Sequence, residues 1–128
     1  MARWILLAVD GTTFRAQDPP NNRAKFGFIS KIHLVYPQLR MVSLHLTKTR
    51  MLLGAAFDGC DVGEITLAKW LLTNIPKNSL ILFDRCYFLA DLILNWQQVG
   101  LNKYWLTPVK KGMRHEVIQR FANNDLLI

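Results

Sequence analysis

At 128 residues the chain has room for one domain or part of one, and its 51% hydrophobic content supplies an ample core, which excludes a disordered linker or tail. The 16 Lys and Arg against 9 Asp and Glu leave a formal charge of +7, a balance that favours a polyanionic partner such as nucleic acid. Cys60 and Cys86 have neither CxxC spacing nor disulfide density, and no run approaches the ~20 apolar residues of a membrane helix; two reduced thiols in a soluble, cytoplasmic protein are the expectation.

Taken in order, the chain opens on Met-Ala-Arg and an apolar run, too short for a signal peptide and interrupted by Asp10. Trp4 to Val9 shows no alternation, so it reads as a strand buried on both faces of a helix-covered sheet. Asp10 stands at its end, and Gly11-Thr12-Thr13 follows as a small, hydroxyl-rich turn. An ionised carboxylate beside such a strand is costly without a cation or donors to compensate it, so Asp10 is expected to have a partner. Residues 14–38 contain Asp18-Pro19-Pro20-Asn21-Asn22 and Tyr36-Pro37, turn chemistry that excludes a continuous helix or a central strand. Between Asp18 and Asp58 there is no acidic residue, while Arg23, Lys25, Lys31, Arg40, Lys48 and Arg50 all fall there, with Phe26 and Phe28 interleaved. That interval is either a solvated basic face or a phosphate-contacting flank beside Asp10.

Arg40 to Thr47 alternates as a strand, and Arg50 to Phe57 pairs with it as a hairpin through Lys48-Thr49. His33 and His45 lack metal-ligand spacing and read as ordinary loop and sheet residues. Asp61-Val62-Gly63-Glu64 resembles a capping box; Ile65, Ala68, Leu71, Leu72 and Ile75 then line one face of a helix that Pro76 ends. Ser79 to Phe83 repeats the opening pattern, an apolar strand delivering Asp84. A second helix follows, with Leu89, Leu92, Ile93 and Trp96 on one face and Gly100 as its stop. Tyr104 to Val109 reads as a last strand, with Lys110, Lys111 and Arg114 just past it, and Val117, Ile118 and Phe121 start one more short helix. No repeat or linker divides the chain.

This order predicts an α/β fold with a mixed sheet: three antiparallel strands, then parallel strands joined by right-handed crossovers, flanked by helices. Such a topology sets the Asp84 strand parallel to and beside the Asp10 strand. Their carboxylates then become neighbours at the carboxyl ends, where ligands of such sheets sit. Two close carboxylates suit Mg²⁺, a hard ion that typically takes one or two of them plus substrate phosphates, and a phosphodiester is the natural substrate.

Ala8-Val9-Asp10-Gly11-Thr12, Tyr36 to Val42, Leu53 to Asp58, Leu82-Phe83-Asp84-Arg85 and Trp105 to Gly112 together resemble, over nearly the whole chain, the DDE transposases of the bacterial insertion-element-four type. The resemblance implies an RNase H-like fold in which Asp10 and Asp84 are the first two members of an acidic triad. That triad would hold Mg²⁺ or Mn²⁺ for strand nicking and strand transfer in DNA transposition. It also implies DNA as partner, with Arg23, Lys25, Lys31, Arg85, Lys110, Lys111 and Arg114 as candidate contacts, and a second copy or a full-length transposase in a synaptic complex. Three departures accompany it. The family's third acid, a Glu in a Tyr, Arg, Glu, Lys signature, is not in this chain, and Glu116 does not stand in for it. Cys86 occupies the position where the family commonly has Gly, and the amino-terminal DNA-binding region is missing. The expectation is a partial catalytic domain spanning 1–128, incomplete at its C-terminus, inactive alone, with uncovered apolar sheet surface; the alternative is a non-catalytic remnant that binds DNA or associates with a full-length transposase. Asp10-Gly11-Thr12 also resembles the haloacid-dehalogenase-like phosphatases, but Ala8 replaces the nucleophilic Asp of that motif.

Overall fold

A computed structural model describes residues 4–26, 36–98, 100, 102–123 and 125–127. The chain runs β1 (Ile5–Arg15), α1 (Pro20–Phe26), β2 (Gln38–Leu46), β3 (Leu52–Gly59), α2 (Glu64–Trp70), β4 (Ser79–Leu82), α3 (Ala90–Gln98), β5 (Lys103–Leu106), β6 (Gln119–Ala122) and β7 (Asp125–Leu127). Single 3₁₀ turns at Leu72–Asn74 and Arg85–Tyr87 follow α2 and β4. The five principal strands form one mixed sheet in the order β3-β2-β1-β4-β5. β1 pairs antiparallel with β2, and β2 with β3, while β1, β4 and β5 run parallel. This is the mixed α/β topology that the order of apolar segments predicts.

Burial follows one face. Along β1, Leu7 and Val9 are buried while Leu6 and Asp10 are exposed, and in β4 Ser79 and Ile81 are buried, with Phe83 continuing the alternation. These side chains meet Val42 and Leu44 of β2, Leu67, Ala68 and Leu71 at α2, and Leu92 of α3 in one core. The two crossover helices lie on the same side, as right-handed connections moving in one direction along a sheet require, and Lys69 of α2 forms an ion pair with Asp91 of α3. The opposite face is bare among the described residues. Trp4, Leu6, Tyr104 and Leu106 lie there 40–60% exposed, and Trp4 and Tyr104 meet edge to face with centroids 4.9 Å apart. The expectation of a first strand covered on both faces is therefore corrected: the run Trp4 to Val9 is apolar because its second face is an uncovered apolar surface, not because helices cover both.

Three local readings also change. The strand does not end at Asp10 but continues to Arg15, held by β2 through Arg15↔Gln38, so Gly11-Thr12-Thr13 is strand and not turn. Pro20 opens α1 rather than marking only a turn, since the first helical position needs no N–H and proline's fixed φ suits it. The amides of Asn22 and Arg23 bond back to the Pro19 carbonyl. The short helix expected from Val117, Ile118 and Phe121 is instead the start of a hairpin, β6–β7, paired from Gln119↔Leu127 to Ala122↔Asp125. The β-branched pair Val117-Ile118 favours strand over helix at this point. Ile118 and Phe121 are exposed. Phe28, Lys31 and His33 lie outside the described residues.

The two faces predict opposite sensitivities. Ile81→Ala, at a site with no exposure, should cost about 2–5 kcal/mol in denaturant unfolding, whereas Leu106→Ala on the bare face should stay within about 0.5 kcal/mol. Leu6→Thr combined with Leu106→Thr should lower binding of an apolar fluorescent dye, because the patch it reports on is removed.

Candidate functional site

β1 and β4 are paired in parallel from Ile5↔Ser79 to Ala8↔Leu82. The same offset carried two residues further sets Asp10 level with Asp84. Continued past the last rung, the strand parity would set both acids on the face of Leu6, Leu80 and Leu82, at the end where β4 and β5 have their carboxyl termini; Asp10 is still in β1, whereas Asp84 lies in the turn after β4. Asp10 lies at the step where β1 has lost β4 as a neighbour and is paired with β2 alone, through Asp10↔Ser43. Ser43 donates from Oγ to the Asp10 carbonyl at 3.3 Å. No hydrogen bond or ion pair holds the Asp10 carboxylate among the described residues. Asp84 caps the 3₁₀ turn that follows β4, its Oδ1 accepting from the Arg85 amide at 2.5 Å, while Oδ2 has the Cys86 thiol at 3.9 Å. The Thr107 hydroxyl donates to the Asp84 carbonyl at 3.3 Å and ties the turn to the end of β5.

Both acids are exposed. The argument that Asp10 is buried and must be neutralised therefore does not hold. Asp84, at the end of the neighbouring parallel strand, supplies a second exposed carboxylate. These are hard oxygen donors of the kind Mg²⁺ or Mn²⁺ accepts, so the donor chemistry fits a divalent ion. Two donors leave most of an octahedral shell to water, substrate or further protein groups, and the described residues contain no cluster of three His, Cys, Asp or Glu that could hold a metal.

On the helix side of the sheet, directly behind Asp10, lies a second acidic feature. Glu64 was expected to close a capping box with Asp61, yet Gly63 is the N-cap of α2 and no side chain caps it. The Glu64 carboxylate points to the sheet instead, where Oε2 accepts from the Tyr87 hydroxyl at a long 3.4 Å and Oε1 lies 4.0 Å from Arg40 Nε. Gly11 makes room for this: a Cβ added there would stand 2.7 Å from Glu64 Oε2 and 2.9 Å from the Tyr87 hydroxyl. Tyr87 is 1% exposed. Burial, then the Glu64 charge, push its phenol well above the ordinary value, with Asp10 adding to the effect. Burial and the charges of Asp84 and Glu64 likewise raise the Cys86 thiol. Sequence reasoning missed Glu64 and Tyr87 because it assigned the first to a cap. The available signal was Gly11, since a glycine inside a strand marks a close approach.

The candidate cations divide between the ends of the sheet. Arg85 adjoins Asp84, and Lys110, Lys111 and Arg114 are exposed on the segment leaving β5 at the same end. Lys25 also lies at that end, in α1 beside the end of β3, with its Nζ 5.5 Å from the Phe26 ring centre. Arg23 is engaged by Asp18 in a two-point ion pair. Arg40 is half-buried and donates to the Val62 carbonyl at 2.8 Å, so it belongs to the α2 junction and not to an open basic flank. Lys48 and Arg50 fall at the β2–β3 turn, the opposite end of the sheet, where His45, Thr47, Arg50 and Leu52 line a surface depression of about 490 Å³ far from the acids in the fold. Lys31 is outside the described residues. Among the described residues, the basic interval is therefore not one continuous surface.

Residues 5–126 match the family model for the transposase DDE domain. The chain is 36% identical over 117 residues, 89% of its length, to InsZ of Escherichia coli K12, named as an inferred transposase, and 32% identical over 127 residues, 96% of its length, to transposase InsG of insertion element IS4 from the same strain. It spans 39% and 28% of the lengths of those two relatives. No solved structure matches the chain.

Because the Tyr87 phenol is held neutral in the folded state to higher pH than in the unfolded chain, its contribution to stability is complete below the ordinary phenol value of 10.0. It declines as pH rises above that value, where the unfolded state loses the proton first. Chemical unfolding between pH 9 and 11, about the phenol range, should show this alkaline loss in the wild type and a shallower slope in Tyr87→Phe.

Proposed function

The chain belongs to the transposase DDE domain family, and from that membership we propose that it is part of an RNase H-like catalytic core acting in DNA transposition, with Asp10 and Asp84 as metal-holding carboxylates. The observation that supports this reading is the parallel pairing of β1 and β4 from Ile5↔Ser79 to Ala8↔Leu82, a register that, continued two residues, would set the two acids level. The sheet order β3-β2-β1-β4-β5, with an antiparallel first half and a parallel second half, supports the RNase H-like assignment. A divalent ion bound between them would polarise a phosphodiester and activate an attacking oxygen, the chemistry of strand nicking and strand transfer. The chain's own residues do the rest of the work: Asp10 and Asp84 supply oxygens, and Arg85, Lys110, Lys111 and Arg114 at the same end offer positive charge to the DNA backbone. The third carboxylate comes from outside this sequence in this reading, because Glu64 stands on the other side of the sheet and Glu116 lies in the exposed segment after β5.

The missing third donor among the described residues favours a second reading, in which the chain alone does not cut but binds DNA or joins a full-length transposase. The two readings separate in one set of assays. A working nuclease predicts Mg²⁺-dependent nicking of plasmid DNA that disappears in Asp10→Ala and Asp84→Ala; activity no greater than in those variants removes catalysis by the chain alone. Non-catalytic binding predicts DNA affinity that survives both substitutions and falls with salt. Replacing Lys110 and Lys111 together by Ala should then reduce the slope of log affinity against log salt by about two.

A further inference from the structure

β1 carries Asp10 and Asp84 lies two residues past β4, yet the β1–β4 ladder stops at Ala8↔Leu82, short of both. Beyond that rung Asp84 sits in a turn, not a strand. That turn is fastened to β5 through Phe83 N–H to Leu106 O at 2.9 Å and through the Thr107 hydroxyl. Toward β1 it carries Tyr87, three residues past Asp84, whose hydroxyl reaches under Gly11 to Glu64 at the first turn of α2. Tyr87 also packs its ring against Phe83, centroids 5.8 Å apart, so the hydroxyl is delivered by a fixed aromatic lever. Gly11 is next to Asp10, and a side chain there would overlap both partners. Three elements thus converge at one point: the strand of Asp10, the turn of Asp84 and the start of α2. A buried phenol satisfied by a carboxylate beneath a glycine is a polar contact placed where the sheet no longer sets spacing, and Arg40 beside Glu64 offsets its charge.

We propose that Tyr87 and Glu64 are positioning residues, whose contact beneath Gly11 locks the Asp84 turn to the Asp10 strand and fixes the span between the two carboxylates. The inference rests on the preceding reading that this pair holds a divalent ion, but its mechanical part does not. Glu64 acts here from the helix side of the sheet and is no ligand; Tyr87 touches neither metal nor substrate.

The test measures Mn²⁺ affinity by electron paramagnetic resonance and amide hydrogen exchange of the 83–88 segment, in the full chain and in Tyr87→Phe, Glu64→Ala and Glu64→Gln. Loss of the contact in the first two should speed exchange of that segment several-fold, as losing one hydrogen bond implies, and weaken Mn²⁺ about tenfold, the effect typical of an outer-shell partner. Exchange in the β2–β3 hairpin should stay unchanged. Glu64→Gln keeps an acceptor for the phenol and should bring both values to within about threefold of wild type, since a neutral acceptor retains roughly half of a charge-assisted bond. Wild-type exchange of the turn in both Tyr87→Phe and Glu64→Ala overturns the proposal, as does a loss in Glu64→Gln equal to that in Glu64→Ala. If Mn²⁺ binding by the wild type proves independent of Asp10 and Asp84, the metal reading fails, and the exchange of the turn alone decides whether Tyr87 and Glu64 position it.

Discussion

The four-rung parallel pairing of β1 with β4 is the constraint on which the rest of the molecule depends. It joins an antiparallel ribbon, β1-β2-β3, to a parallel pair, β4-β5, and so fixes the order of all five strands. Because side chains alternate with a period of two, its register also decides which residues share a face. One residue of slip would keep Leu7 and Ile81 from meeting in the core and would turn Asp84 away from Asp10. The packing of apolar side chains on the covered face is therefore set by these hydrogen bonds, which also bring the strands leading to Asp10 and Asp84 side by side.

Covering only one face has a physical cost that the core must carry. Leu7, Val42, Leu44, Leu67, Ile81 and Leu92 are completely shielded, and burying each such side chain is worth roughly 1.5–3 kcal/mol before chain entropy is counted. Trp4, Leu6, Tyr104 and Leu106 contribute little of this, since water reaches much of each. The acids stand at the rim of that apolar platform. A phosphate bound there would have low-dielectric protein on one side, a setting that strengthens its attraction to nearby Arg and Lys.

Much of this was legible in the sequence, and the failures have identifiable causes. Alternation and turn residues disclosed the β2–β3 hairpin, and the crossover rule placed β4 beside β1 and hence Asp84 beside Asp10. Apolar runs misled where they met solvent: Trp4 to Val9 carries no polar residue on either face, so periodicity alone had no means of showing which face was bare. The end of β1 was misjudged because Asp, Gly and Thr carry turn propensity, while the pairing of residues 11–15 with β2, a tertiary effect, keeps them extended. Glu64 was read as a cap because its spacing from Asp61 fits one; its actual partner, Tyr87, is remote in sequence and comes near only through the fold. The family resemblance added to those patterns the expectation that the two aspartates belong to an acidic triad.

The distance in sequence between Asp10 and Asp84 has a kinetic meaning. The β2–β3 hairpin closes through a short turn and can form early, whereas the β1–β4 ladder must wait for a loop enclosing α1, that hairpin and α2. Loop-closure entropy is met before such a contact returns any energy, and long-range parallel pairing is correspondingly slow. The parallel pairing that brings the strands of Asp10 and Asp84 together is thus slow to form compared with the hairpin, and a chain stalled before it has the hairpin without that pairing.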